Sequence, residues 1–395
     1  MLTPKTLPAF QAALREAGVD GWLLYDFRGL NKVAGAILGM HGFVTRRILG
    51  WIPASGTPVA ITHAIEQGPW AGWPAEWTKQ VYSSWRQFEA ALPPLVKGKR
   101  IAMEYSAGDA VPVVDLVPAG LLELVRASGA EVVTSADLVS RFFALWSEAE
   151  IAAHRRNAEV LRTLALDAFS RIGAAARTGS PLHEHEVAAL LHEGFKANGL
   201  EADHGPIVAA TANAANPHYE PSAAAPRAFR EGDIVLIDLF ATDAGGRGMW
   251  ADQTWMASIG APSTRAIEVW TAIRDARDAA IALLRARLAA GGSVHGGEAD
   301  DAARAVIEAR GFGPHFTHRT GHSIDARGLH GSGPNIDNLE TRETRRLIPG
   351  VGFSIEPGIY LAGEIGMRTE VNAYVDAAGQ LVVTPAEVQR DLVVL

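Results

Sequence analysis

Apolar residues at Phe10, Ala13 and Leu14 recur at helical spacing before a stop at Gly18, which predicts a helix over residues 7–17. A short buried strand is expected at 19–25. Further short strands are expected at 48–53, 59–62 and 100–104, separated by Gly and Pro. A helix at 116–128 and a strand at 131–133 continue the interleaving, so the first part of the chain reads as an α/β unit. The texture then changes. Residues 148–176 put Ala, Leu, Ile and Val on one helical face and Arg on the other, and Ser147 with Glu150 three positions on is a capping-box pattern. A domain boundary just before this helix divides the chain into residues 1–145 and 146–395. Beyond it, helices are expected at 182–197, 264–288 and 300–309, and strands at 234–240, 253–258, 352–360 and 367–375. No internal repeat is visible, and no low-complexity tract beyond an Ala bias.

A chain of 395 residues is long enough for two domains or one large one with a sizeable core. The 36 basic and 44 acidic residues leave a net charge of -8, which argues against a generally basic nucleic-acid binder. A hydrophobic content of 48% argues against disorder. The absence of Cys excludes a disulfide scaffold, thiolate zinc sites, iron-sulfur ligation and a Cys nucleophile, so any metal must be held by His and carboxylates. No apolar run reaches the roughly 18 residues of a membrane span and the first residues lack a signal-peptide core, so the expected location is the cytoplasm, with no membrane partner. Trp22, Trp51, Trp70, Trp73, Trp77 and Trp85 crowd the first unit and are expected to be packing aromatics rather than a pocket wall or subunit contact.

Five donors stand inside apolar stretches of the second half. Asp238 lies in Ile234-Val235-Leu236-Ile237-Asp238-Leu239, and Asp252 in Trp250-Ala251-Asp252-Gln253-Thr254-Trp255, where an antiparallel hairpin would set the two face to face. His322 lies in Thr320-Gly321-His322-Ser323, Glu356 in Phe353-Ser354-Ile355-Glu356-Pro357-Gly358, and Glu370 in Met367-Arg368-Thr369-Glu370-Val371. A lone buried carboxylate costs several kcal/mol, so each needs a partner or a cation. Four carboxylates and one imidazole suit a pair of divalent ions such as Mn, Co, Zn or Fe. Such a pair lowers the pKa of a shared water and polarises a carbonyl, enough to hydrolyse an amide without a covalent intermediate. Taken singly, each carboxylate reads equally well as a salt-bridged structural residue.

The order and wording of these segments, together with His218 in Ala214-Ala215-Asn216-Pro217-His218-Tyr219 and the run His315-Phe316-Thr317-His318-Arg319-Thr320-Gly321-His322, resemble the pita-bread metallopeptidases, the family of methionine aminopeptidase, aminopeptidase P and prolidase. The likeness is close from about residue 141 onward. It implies an α+β architecture, with a creatinase-like α/β domain at 1–145 followed by a pita-bread catalytic domain at 146–395. It further implies that Asp238 chelates one metal, that His322 and Glu356 bind the other, and that Asp252 and Glu370 bridge two divalent ions, expected to be Mn with Co or Zn as alternatives. Glu356 would also handle the proton of the attacking water. His218 and His330 correspond to histidines that hydrogen-bond the substrate carbonyl and the developing oxyanion. His318 matches a histidine of the proline-specific branch, and Arg368 an arginine that orients carboxylates or substrate.

Three departures stand out. The step from Asp238 to Asp252 is 14 (252 minus 238) where the family uses eleven, so the hairpin at Asp243-Ala244-Gly245-Gly246-Arg247-Gly248 is expected to be enlarged. His322 is followed by Ser-Ile-Asp rather than Gly-Ile-Gly, and His330 comes one residue late. Gly331 stands where an acidic residue is common.

Other motifs take bland readings. His183-Glu184-His185-Glu186 lacks the spacing of a zinc motif and is expected to be a solvated helix start. Gly245-Gly246-Arg247-Gly248 is a turn, not a phosphate loop. The stretch 291–297 reads as a helix-to-helix loop with His295 exposed, and 342–346 as a solvated charged loop. Arg46-Arg47 is expected at an exposed strand edge, with a carboxylate-binding fork across a dimer interface as the functional option. The resulting expectation is a homodimeric Xaa-Pro dipeptidase (prolidase-type) acting on proline-containing dipeptides or short peptides. Aminopeptidase P activity on longer peptides is the nearest alternative, and a creatinase-like hydrolase is less favoured because the metal set is intact. A non-catalytic peptide-binding module is the alternative from another class.

Overall fold

The computed structural model describes residues 1–245 and 248–395. Gly246 and Arg247, the tip of the expected hairpin turn, lie outside the described residues. The chain forms two compact units, Met1–Phe143 and Ala144–Leu395.

The first unit is built on a six-stranded sheet of β1 (Gly21–Phe27), β2 (Arg47–Pro53), β3 (Val59–His63), β4 (Thr78–Tyr82), β5 (Arg100–Met103) and β6 (Glu131–Thr134), in the order β4-β3-β2-β1-β5-β6. Helices α1 (Leu7–Glu16), α2 (Lys32–Leu38), α3 (Trp85–Ala90), α4 (Pro93–Val96), α5 (Ala119–Ala127) and α6 (Ala136–Phe143) alternate with these strands. β1 is buried over all but its last residue because its apolar run lies inside the sheet, which needs both faces covered. Trp22, Trp51, Trp70 and Trp77 are buried in the unit's core, while Trp85 is exposed. Arg47 opens β2, with Arg46 just before it; the strand lies between β1 and β3 and is not an edge strand. Their side chains part company: Arg46 Nη1 donates to Thr45 Oγ1, and the Arg47 guanidinium lies 4.3 Å from the centre of the Phe88 ring. The pair forms no single fork.

In the second unit the expected capping box is present. Ser147 accepts from Glu150 N, and Glu150 reaches back to the Ser147 N–H to start α7 (Glu148–Arg177). Helix α8 (Glu184–Ala197) begins at His183, whose N–H donates to Glu186 Oε2, so the His-Glu-His-Glu run is a helix start, but not a wholly solvated one: Glu184 is buried and accepts from the Ala210 N–H and the Tyr219 hydroxyl. One sheet has the order β17-β10-β9-β7, with β8 also paired to β9: β7 (Leu200–Glu201), β8 (Ile207–Ala210), β9 (Ile234–Asp243), β10 (Ala251–Ser258) and β17 (Val393–Val394). Another consists of β11 (Ser323–Ile324), β12 (Gly352–Ile355), β15 (Val371–Val375) and β16 (Leu381–Thr384). β13 (Gly358–Leu361) pairs with β14 (Ile365–Arg368). Helices α9 (Thr264–Ala289) and α10 (Gly296–Ala309) share the apolar core beneath these strands.

Five further expectations are corrected. The strand expected over 352–360 is two strands in different sheets, broken at Glu356-Pro357. That over 367–375 is likewise broken at Thr369-Glu370. Pro357 has no N–H for a ladder, and both breaks occur where the chain passes from one sheet to another. Helix α10 starts at Gly296 rather than at 300, with the His295 N–H donating to Glu298 Oε1. His295 is half-buried rather than exposed, because the segment around Asn335 lies directly on this first turn: a Cβ on Gly296 would sit 1.7 Å from Asn335 O. The 342–346 stretch is not a solvated loop. Glu343 and Arg345 point inward as a buried ion pair while Arg342, Thr344 and Arg346 face out, an alternation that composition alone does not reveal.

Candidate metal centre

The β9–β10 register pairs Asp238 with Thr254 and Phe240 with Asp252. Side chains alternate across a strand, so Asp238, Phe240, Asp252 and Thr254 share one face, with the two carboxylates as diagonal neighbours. His322 immediately precedes β11, Glu356 sits in the break between β12 and β13, and Glu370 in the break between β14 and β15. The two breaks therefore have a use: a residue outside a ladder has its backbone committed elsewhere, and its carboxylate turns inward. The Glu356 N–H donates to Thr320 O at 2.6 Å and the Glu370 N–H to Thr254 O at 3.3 Å.

These five side chains meet. His322 Nε2 lies 3.3 Å from Asp252 Oδ2 and 3.5 Å from Glu356 Oε1, and donor atoms of Asp252, His322 and Glu370 all lie within 4.8 Å of one another. Arg368 donates to Asp238 Oδ2 through Nη2 and lies 4.0 Å from Glu356 Oε2 through Nε. Hydroxyls fix the remaining orientations: Thr254 Oγ1 donates to Glu370 Oε2 at 2.8 Å, and Ser354 Oγ to Glu356 Oε1 at 2.9 Å.

His318 and Arg368 are joined through a residue the sequence reading had assigned no role. The Tyr360 hydroxyl lies 2.8 Å from His318 Nε2 and 3.1 Å from Arg368 Nη1. Arg368 can only donate, and His318 Nδ1 faces the carbonyl of Arg319 at 2.7 Å, so Nδ1 carries the proton and Tyr360 donates to Nε2. Burial pushes the Tyr360 hydroxyl up to about 12 and lowers His318 below the usual histidine range, which keeps both in the forms this chain requires. Replacing Tyr360 by Phe is expected to cut kcat about tenfold with little change in KM, because it leaves His318 without its donor and frees Arg368. Unchanged kcat for Tyr360→Phe would remove the network from the working site.

The charges do not balance within the protein. Four buried carboxylates face one guanidinium and one imidazole. His322 Nδ1 is directed at Ser323 O, 3.1 Å away, and Nε2 faces Asp252 and Glu356; burial lowers the imidazole, but these two carboxylates outweigh burial and raise it above its ordinary value. Asp238 Oδ1, Asp252 Oδ1 and Glu370 Oε1 are buried and have no hydrogen-bond partner. Burial pushes the Asp238 carboxyl up to about 7, against the pull of Arg368 and with the repulsion of Asp252 and Glu356. Burial first, then repulsion from Asp252, Glu356 and Asp238, drives Glu370 well above the usual carboxylate range, and Asp252 is raised as well. Glu356 differs: burial raises it, but His322, Arg368 and the hydrogen bond from Ser354 outweigh burial and hold it below its ordinary value. Three carboxylates with an orphaned oxygen each, two of them grouped with His322, are a donor set that fits divalent cations.

The other expected residues are more peripheral. The His330 ring packs edge-on against His322, with centroids 4.2 Å apart, and keeps an exposed edge. Partial burial first, then the charges of His322 and Arg319, bring it down to about 4, so it is neutral at neutral pH. His218 stands exposed on the loop 211–219, which packs on β14 through the Gly366 N–H to Thr211 O bond and the close approach of Gly366 to Ala214. Among the described residues none hydrogen-bonds to its ring. Thr254, Ser354 and Tyr360 are the functional side chains that sequence reasoning missed, since hydroxyls in apolar strands carry no local mark of their partners.

Residues 152–377 match the metallopeptidase family M24. The chain is 32% identical over 262 residues to a probable dipeptidase PepE of Mycobacterium bovis, a match covering 66% of this chain and 64% of that protein. It is 32% identical over 181 residues to an Xaa-Pro dipeptidase of Lactobacillus helveticus, covering 46% of this chain and 42% of that protein. The crystal structure of dipeptidase PepE from Mycobacterium ulcerans superposes with a TM-score of 0.70 at 25% identity, over 99% of this chain and 97% of that one.

Proposed function

Since the chain belongs to metallopeptidase family M24, with the family match covering residues 152–377, we propose that it is a dinuclear-metal Xaa-Pro dipeptidase that cleaves the peptide bond before proline in dipeptides. The observation that carries this reading is the convergence of Asp238, Asp252, His322, Glu356 and Glu370, with three of their oxygens unpartnered. The dipeptidase and Xaa-Pro dipeptidase names of the relatives support it. In this proposal residues 1–145 form a creatinase-like domain and 146–395 the catalytic domain of a cytoplasmic homodimer. The ions are manganese, with cobalt or zinc able to substitute.

Asp238, Asp252, His322, Glu356 and Glu370 would hold the ions, which supply a water of lowered pKa and a polarised scissile carbonyl. Glu356, kept ionised by His322, Arg368 and the Ser354 hydroxyl, takes the proton of the attacking water on Oε2, since Oε1 already accepts from Ser354. The bond before proline is a tertiary amide without an N–H, so its nitrogen becomes a leaving group only on protonation, and Glu356 returns the proton there. Neutral His330 donates a hydrogen bond to the substrate carbonyl as charge develops. Arg368 holds Asp238 and Glu356 apart from each other's proton while Tyr360 and His318 fix its plane.

The deciding assay is a panel of Xaa-Pro, Xaa-Pro-Yaa and Met-Ala-Yaa peptides with Mn, Co and Zn, before and after exhaustive chelation. Turnover of Xaa-Pro that depends on added metal is expected. Preference for Xaa-Pro-Yaa would reassign the chain to aminopeptidase P activity, and absence of bound metal after Mn addition would leave only a peptide-binding module.

A further inference from the structure

We propose that Asp325 is a positioning residue for His330, clamping the loop 325–332 so that the His330 ring is set against His322; this rests on the reading of His330 as a substrate-binding group. Among the described residues no hydrogen bond holds the His330 ring itself, so its place depends on the loop that carries it. That loop leaves β11 at Ile324 and turns back tightly, with Asp325 and Gly328 exchanging backbone hydrogen bonds of 3.4 Å. Asp325 is only 3% exposed, and both its oxygens are used: Oδ1 accepts from the Arg327 N–H at 2.7 Å and Oδ2 from the Ser332 N–H at 3.0 Å. One carboxylate thus ties the start of the loop to the residue two positions past His330. Hydrogen bonds from two N–H groups to an ionised carboxylate are the stronger, charge-assisted kind.

The far side of Ser332 is held by the opposite charge. Arg345, 2% exposed, donates through Nη1 to Ser332 O and through Nη2 to Gly333 O, both at 2.6 Å. Glu343 grips the same guanidinium through Nε at 2.9 Å and Nη2 at 2.6 Å. The N–H and the carbonyl of one residue are therefore fixed by two buried ionised groups. Space closes the arrangement. A Cβ on Gly331 would lie 2.8 Å from Ser323 Oγ and 3.0 Å from Asp325 Oδ2, and one on Gly333 would lie 2.6 Å from Ser323 Oγ.

The sequence departures around this loop are consequently one interlocked solution. With Ser323 and Asp325 in place, position 331 has no room for a side chain, so an acid cannot stand beside His330. The carboxylate that anchors the loop comes from Asp325 instead.

The test is a double-mutant cycle on the metal-loaded enzyme. Asp325→Asn and Asp325→Ala are each made in the wild-type and His330→Ala backgrounds, with kcat, KM, metal content and Tm measured for each. The expected result is a loss of about tenfold in kcat in the wild-type background with metal content unchanged, and a change below about twofold in the His330→Ala background. Equal losses in both backgrounds, or no loss in either, would overturn the proposal. Side-chain histidine NMR gives an arm independent of peptide turnover. Asp325→Asn should shift or broaden the His330 ring signals while leaving those of His154, buried between Trp250 O and Thr384 Oγ1, in place. Unmoved His330 signals overturn the clamp even if the protein cleaves no peptide, whereas shifted signals without any Xaa-Pro turnover sustain the clamp and remove the peptidase reading.

Discussion

Glu356→Gln is expected to lower kcat for Xaa-Pro hydrolysis by about 10³-fold, within the range lost when a general base is removed. The side chain keeps its length and one oxygen, and Ser354 Oγ can still donate to that oxygen. What disappears is the negative charge that His322 and Arg368 hold in the ionised form. The amide cannot take the proton of water or return it to the proline nitrogen. Metal content measured beside kcat separates the two roles assigned to Glu356: retained metal with lost turnover marks the proton carrier, and lost metal marks the ligand. A variant keeping more than about a tenth of wild-type kcat would contradict both.

Removing metal is expected to destabilise the fold, and increasingly so as pH rises. In the metal-free protein Asp238, Asp252 and Glu370 have carboxyl pKa values above their ordinary ones. The folded state therefore binds more protons than the unfolded state between the ordinary carboxylate range and the raised values. The stabilisation is complete below that range and is lost as pH climbs toward about 7, where Asp238 ionises. Cations replace those protons with positive charge, so the loaded protein escapes the loss. Chelated protein should thus melt about 5 °C below loaded protein at pH 8, with a smaller gap at pH 5. Buried groups away from the centre also titrate: burial raises Glu104 to about 7 in the first unit and lowers His154 to about 4. Both are common to the two samples, so the difference between melting curves isolates the centre. A gap that narrows as pH rises would sink the assignment.

The two breaks at Glu356 and Glu370 illustrate where local pattern stops being informative. An apolar stretch such as 352–360 looks the same whether it is one strand or two, because each half has strand character. The division depends on which sheet each half finds, and Pro357 is its one local trace. Glu343 and Arg345 make the converse case. Their neighbours Arg342, Thr344 and Arg346 give the segment the composition of a solvated loop, yet both are buried because Ser332 and Gly333 present carbonyls that need a cation. Tyr360 lies two residues past the Glu356-Pro357-Gly358 segment and acquires a role only because β13 carries it between His318 and Arg368.

Ionisable residues set singly in apolar runs are expensive to bury, and for that reason the linear chain already marked Asp238, Asp252, His322, Glu356 and Glu370 as groups that need a partner or a cation, while the family resemblance joined them into one set. Helix starts at Ser147 and the alternation of strands and helices were equally local, since caps and periodicity act over a few residues. Which oxygens remain unpartnered, how Asp325 and Arg345 share one residue of the His330 loop, and which hydroxyls orient the carboxylates were decided by tertiary structure alone. Those contacts range from 2 positions apart for Ser354 and Glu356 to 116 for Thr254 and Glu370, and in each the partner is chosen by the packing that brings it within 3 Å.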